Sequence, residues 1–195
     1  MRLKRRSSRL FAASTAVALA LSILTAAQAA QRDDLANVRV KNFGRINENF
    51  YRGAQPQQRD IGDLAAMGIK SVIDLQEDGE SREPEWVESA GMKFFRIGLS
   101  DKSSPSPDNA EQFLKIVNDP VNQPVFIHCH GGRHRAGAMT AVYRMTHDGW
   151  SADRAYQEMK RYEFESGFGH GALRAYVYDY GTHADQKGIV VRTAK

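Results

Sequence analysis

The chain has one cysteine, Cys129, and an arginine, Arg135, six positions after it. Between them lie only histidine, glycine and arginine. The preceding Pro124-Val125-Phe126-Ile127 is a short apolar run that reads as a buried strand. The following stretch, Ala138 to Met145, reads as a helix. A strand end, a glycine-containing turn and a helix start therefore meet at the sulfur. Such a junction aims backbone N–H groups and the positive end of a helix at one point. A thiolate is stabilised there, and a phosphate is held by the same donors. Arg135 adds a planar, two-pronged donor for phosphate oxygens. His130, Gly131, Gly132, Arg133, His134, Ala136 and Gly137 complete the cradle. The chemistry these parts can do is transfer of a phosphoryl group onto sulfur, with Cys129 as nucleophile and Arg135 holding the equatorial oxygens.

Positioning this loop requires an ordered sheet. Val38-Arg39-Val40 and Phe50-Tyr51-Arg52 read as short strands separated by a polar loop. Gln57 to Met67 has helical character and is stopped by Gly68. Ser71 to Leu75 is an interior strand, and Gln76 to Ser81 an acidic, solvated turn. Glu83 to Ala90 reads as a helix closed by Gly91, and Lys93 to Leu99 as the next strand. Asp108-Asn109-Ala110-Glu111 opens another helix in the manner of a capping box. Ser151 caps a helix through Tyr162, and a last helix spans Ala172 to Tyr180. Strands alternate with helices, so the fold expected is α/β: one domain, with a central, mostly parallel sheet flanked by helices. Its ligand site falls at the carboxyl ends of the strands.

The first 29 residues stand apart. Arg2, Lys4, Arg5, Arg6 and Arg9 form a basic start, Leu10 to Leu24 is apolar, and Ala27-Gln28-Ala29 is a small-x-small cleavage pattern. This reads as a signal peptide over residues 1–29, with a catalytic domain over 30–195 placed in the periplasm or secreted. No stable membrane association is expected once the leader is removed. The whole chain has 27 basic and 23 acidic residues; without the leader's five basic ones, 22 face 23. The basic balance belongs to the leader and gives no support to nucleic-acid binding. A single cysteine excludes an internal disulfide.

Cys, five residues, then Arg resembles the signature loop of the protein tyrosine phosphatase superfamily. The longer pattern His-Cys-x-x-Gly-x-x-Arg-x-Gly is met by His128, Cys129, Gly132, Arg135 and Gly137. Tyr51 to Pro56, Gly68 to Leu75, the Gly-Arg-His-Arg of the loop, and Trp150 followed by Tyr156, Glu158 and Tyr162 make the chain similar to the plant and fungal atypical dual-specificity phosphatases. The resemblance covers residues 40 to 180. It implies a cysteine-phosphatase fold and hydrolysis of phosphate monoesters through a cysteinyl-phosphate, without cofactor or metal. The substrates implied are phosphorylated proteins or small phosphorylated molecules, including inositol pyrophosphates and phosphoinositides. It implies a general acid on the loop after Leu99, where Asp101 and Asp108 are the candidates. Asp101 is preferred because Asp108 can serve as a helix cap. His128 is expected behind the loop, steadying the sulfur.

One residue departs from the superfamily pattern. Ala136 stands where Ser or Thr usually follows the arginine, and that hydroxyl helps the sulfur leave in the second step. Its absence motivates an alternative: a catalytically weak pseudophosphatase that binds phosphorylated ligands. A metal reading of His128, Cys129, His130 and His134 is disfavoured, because neighbours on a strand point to opposite faces.

Overall fold

The computed structural model describes residues 38–186 apart from residue 168. The expected leader, residues 1–29, and the tail from 187 lie outside the described residues. Five strands form one sheet in the order β1-β2-β5-β3-β4. They are β1 Gly44–Asn47, β2 Phe50–Ala54, β3 Ser71–Gln76, β4 Lys93–Leu99 and β5 Val125–Cys129. The pairs β2–β5, β5–β3 and β3–β4 are parallel, and β1 is an antiparallel edge. The α/β fold with a mostly parallel sheet matches the expectation.

Among the described residues six helices cover the sheet: α1 Gln58–Ala66, α2 Glu83–Ser89, α3 Pro107–Asn118, α4 Arg135–His147, α5 Ala152–Arg161 and α6 Gly171–Gln186. Strands β2, β3 and β5 are buried along their whole length, as parallel strands covered on both faces must be. Alternate residues feed two cores. Ile73, Leu75, Ile97, Leu99, Val125 and Ile127 join Phe113 of α3 and the apolar side chains of α4 and α6. The interleaved Val72 and Phe126 are buried together with Ile61, Leu64 and Val87 of the other helices. Helix α4 is buried nearly all round from Ala136 to Tyr143, which its Ala- and Gly-rich sequence permits at close approach.

Three local expectations are corrected. Val38-Arg39-Val40 is not a strand; the edge strand is Gly44–Asn47, inside the stretch read as a polar loop. Its alternation is short because Gly44 and Ile46 alone are buried, and Gly44 is a glycine because the Tyr162 ring occupies the space a Cβ would need. Helix α3 starts earlier than read. Ser106 is the cap, its Oγ accepting from Asn109 N–H, with Pro107 at the first turn. Proline pre-sets the helical φ there, so Asp108 lies inside the helix and is not its cap. The last helix is also longer than read, running to Gln186.

Candidate active site

Cys129 is the last residue of β5, and residues 130–134 turn from it into α4. The turn needs Gly132. Its φ is +66°, and a Cβ there would lie 2.4 Å from the carbonyl carbon of Gly53. The loop is pinned from three sides. Gln55 N–H donates to the His130 carbonyl at 3.2 Å. Asn42 Nδ2 donates to the Gly132 carbonyl at 3.1 Å and to the Tyr162 carbonyl at 3.1 Å. Arg52 Nη2 donates to the same Gly132 oxygen. The first turn of α4 then presents its unbonded N–H groups to the loop.

Cys129 is 2 % exposed and borders a cleft of about 740 Å³. Cys129, His130, Gly131, Arg133, His134, Arg135 and Asp101 all line it, with His170 and Glu163 from the far side. A second cleft of about 450 Å³ shares Asp101, His130 and Arg135 and adds Glu77 and Asp78. Gly132, Ala136 and Gly137 do not line either cleft; Gly132 shapes the turn, while Ala136 and Gly137 are buried in the start of α4. Arg135 is braced by one hydrogen bond, Nη1 to the Leu99 carbonyl at 3.2 Å, while its buried Nε has no partner. The rest of its fork is available to an oxyanion.

Asp101 follows β4 directly. Its side chain is 41 % exposed and sits 3.6 Å from Lys102 Nζ. Its carbonyl accepts from His170 Nδ1 at 3.0 Å. The His170 ring stacks on His134, centroids 3.6 Å apart. This stack ties the Asp101 loop to the cysteine loop. Burial, and then the neighbouring His170 and Arg133, push the His134 imidazole down to about 4. Arg133 is held outward by Glu163 at 2.9 Å. Asp108 lines neither cleft.

Behind the loop the sheet alternation turns His128 away from the cleft. It is fully buried, with Nε2 2.8 Å from Glu83 Oε1 and Nδ1 3.8 Å from Asp74 Oδ1. Neither ring nitrogen makes an aligned hydrogen bond, so these contacts are electrostatic rather than straight hydrogen bonds. Gln55 Nε2 donates to Glu83 Oε2 at 2.8 Å. Asp74 accepts from Gln76 N–H at 2.9 Å and from Arg96 Nε at 3.0 Å. Among the described residues Asp74, Glu83 and His128 are close enough for a shared ion. The arrangement does not favour one, because the two carboxylates face opposite ring nitrogens and Asp74 already accepts from Gln76 and Arg96.

Sequence reading assigned no role to Glu83, Arg52, His170, Asn42 or Glu163. Glu83 was hidden as an ordinary acidic helix start, and Arg52 as one residue of a strand. Nothing in the local sequence of His170, Asn42 or Glu163 marks it.

The fold occurs in known proteins. A family model described as "DSP-PTPase phosphatase fused to NAD+ Kinase" matches residues 30–172. Inositol diphosphatase SIW14 of Saccharomyces cerevisiae is 28 % identical over 130 residues, which are 64 % of this chain and 46 % of that protein. The chain thus spans under half the length of that relative. Inositol diphosphatase DSP1 of Oryza sativa subsp. japonica is 26 % identical over 126 residues, 62 % of this chain and 56 % of that protein. The crystal structure of the SIW14 core catalytic domain with citrate shares the fold at a TM-score of 0.63 and 24 % identity, covering 77 % of this chain and 95 % of that one. With its cysteine loop at the end of β5 and a model that spans most of its length, the chain belongs to the DSP-PTPase phosphatase family.

Proposed function

We propose that the protein hydrolyses phosphate monoesters or phosphoanhydrides of small, multiply phosphorylated molecules through a cysteinyl-phosphate. The observation that carries this reading is the shared cleft of Cys129, Arg135 and Asp101, rimmed by His130, Arg133 and His134. The cations lining that cleft, Lys41, Arg133 and Arg135, outnumber its carboxylates, Asp101 and Glu163, a balance that favours several phosphates over one. The yeast and rice relatives named as inositol diphosphatases support the same class.

In the first step the Cys129 sulfur attacks phosphorus. The P–O bond to the leaving group breaks, and Asp101 supplies that oxygen's proton. Arg135 and the loop amides hold the three equatorial oxygens throughout. In the second step water forms a new P–O bond, its proton passes to Asp101, and the electron pair of the P–S bond returns to sulfur. Thr140 does not replace the hydroxyl missing at Ala136. Its Oγ1 donates to the Ala136 carbonyl at 2.7 Å, inside the helix.

The features of residues 1–29 support export, and no described helix is long and apolar enough to cross a membrane. The test of substrate class is a side-by-side screen of inositol pyrophosphates, phosphoinositides and phosphotyrosine peptides. The reading expects the highest kcat/KM on the first. Turnover confined to phosphotyrosine peptides refutes it, and release of one equivalent without turnover on every substrate favours the phosphate-binding alternative.

A further inference from the structure

Arg52 is 0 % exposed on β2, an interior strand of the sheet. Parallel pairing sets Arg52 beside Ile127 and Ala54 beside Cys129. Arg52 and Cys129 therefore rise from the same face, two residues apart along neighbouring strands. The guanidinium runs under the cysteine loop, where Nη2 bonds the Gly132 carbonyl. The Tyr162 ring covers its plane, with Cζ 4.2 Å from the ring centroid. Nε and Nη1 have no hydrogen-bond partner. Glu158, whose carboxylate also acts on it, is engaged by Arg144 at 2.7 Å. A guanidinium this deep is costly without a counter-charge.

Burial pulls Arg52 down to about 10, and the negative charge of Cys129 is the largest influence opposing that fall, ahead of Tyr162 and Glu158. The other charged or titratable groups lining the cleft with the sulfur are Arg133, Arg135, His130 and His134 of the loop, with Asp101, Glu163, His170 and Lys41. Those groups border a solvent-filled cleft and are screened by it. Arg52 is not.

We infer that Arg52 is a positioning residue for the catalytic sulfur: the buried cation that balances the Cys129 thiolate and stabilises it as the leaving group when the cysteinyl-phosphate is hydrolysed. In that step the P–S electron pair returns to sulfur, and negative charge reappears on the same face of the sheet as a fixed, buried guanidinium. Ala136 offers no hydroxyl to do this work. The inference rests on the phosphatase reading, and its test separates the two.

The test uses the full chain and three variants: Arg52→Gln, Arg52→Lys and Cys129→Ser. Thiolate formation is followed by ultraviolet absorbance and by iodoacetamide alkylation against pH, with Cys129→Ser as the blank. Arg52→Gln should raise the pH at which the thiolate forms by about one unit or more, a tenfold loss of thiolate below it. Arg52→Lys should keep most of the wild-type behaviour. In rapid-mixing experiments on an aryl phosphate, Arg52→Gln should slow breakdown of the cysteinyl-phosphate more than its formation. Thiolate forming at the same low pH in wild type and Arg52→Gln overturns the role of Arg52 and leaves the phosphatase reading standing. Thiolate forming in wild type only where a free thiol ionises overturns both. Should Arg52→Gln not fold, the urea midpoints of wild type and Cys129→Ser supply the test. Their difference should grow as pH rises through thiolate formation, and a difference independent of pH overturns the inference.

Discussion

Replacing Glu83 tests the buried scaffold behind the cysteine loop. The side chain is fully buried, with one oxygen 2.8 Å from His128 Nε2 and the other accepting from Gln55 Nε2 at 2.8 Å. Glu83→Ala strands the buried His128 imidazole and takes an acceptor from the half-buried Gln55. A stranded buried polar group costs about 1–3 kcal/mol, and breaking a buried charged contact costs about 3–5 kcal/mol. The two estimates meet near about 3 kcal/mol, a fall in Tm of about 6–12 °C for a domain of this size. Glu83→Gln keeps the shape and one acceptor, so its cost is about 1–3 kcal/mol. Urea unfolding gives the stability loss, and steady-state kinetics on an aryl phosphate give its functional echo. His128 adjoins Cys129 in the chain, so a loosened imidazole should lower kcat with little change in KM. A stability loss below about 1 kcal/mol in Glu83→Ala, with kcat unchanged, refutes the reasoning.

Gly132→Ala must place a Cβ at φ +66° and 2.4 Å from the Gly53 carbonyl carbon; it should lose about 2–4 kcal/mol by urea unfolding and most of its activity, and a variant within about 1 kcal/mol of wild type contradicts this. Asp101→Asn should slow turnover of substrates with poor leaving groups far more than those with acidic ones; equal losses across a leaving-group series count against the acid role. Ala136→Ser should speed breakdown of the cysteinyl-phosphate severalfold, measured after a single turnover, and an unaltered or slower rate would sink that reading of the position. His134 is pushed down to about 4 by burial and then by His170. The folded state thus binds its proton more weakly than the unfolded chain, so folding stability falls as pH drops from about 6.5 towards about 4. His134→Gln should flatten that part of the pH profile of urea midpoints, and an identical profile contradicts it.

Much of the sheet was legible because parallel strands buried on both faces leave apolar runs, as in Ser71–Gln76 and Val125–Cys129. The cysteine loop was legible because its chemistry needs fixed spacing between a nucleophile, a glycine and an arginine. Gly44–Asn47 was not, because an edge strand that buries two of its four residues carries too little alternation to stand out. The start of α3 was misread because Ser106 and Asp108 are both good caps, and Pro107 decided between them. The supporting residues were hidden for a different reason. Arg52, Glu83 and His170 reach the site from β2, from α2 and from the turn before α6, and only the tertiary fold brings them to the loop. A buried ionisable side chain leaves no local pattern in sequence. Its meaning lies in what it faces: Gly132 and Tyr162 for Arg52, His128 for Glu83, and His134 for His170.

The most direct measurement is mass spectrometry of the Cys129-containing peptide after rapid denaturing quench of the enzyme turning over an aryl phosphate. Wild type should carry one added phosphoryl group on the Cys129 sulfur at early times, and Cys129→Ser should carry none and release no product. Steady hydrolysis with that sulfur never modified, or activity persisting in Cys129→Ser, would contradict the account.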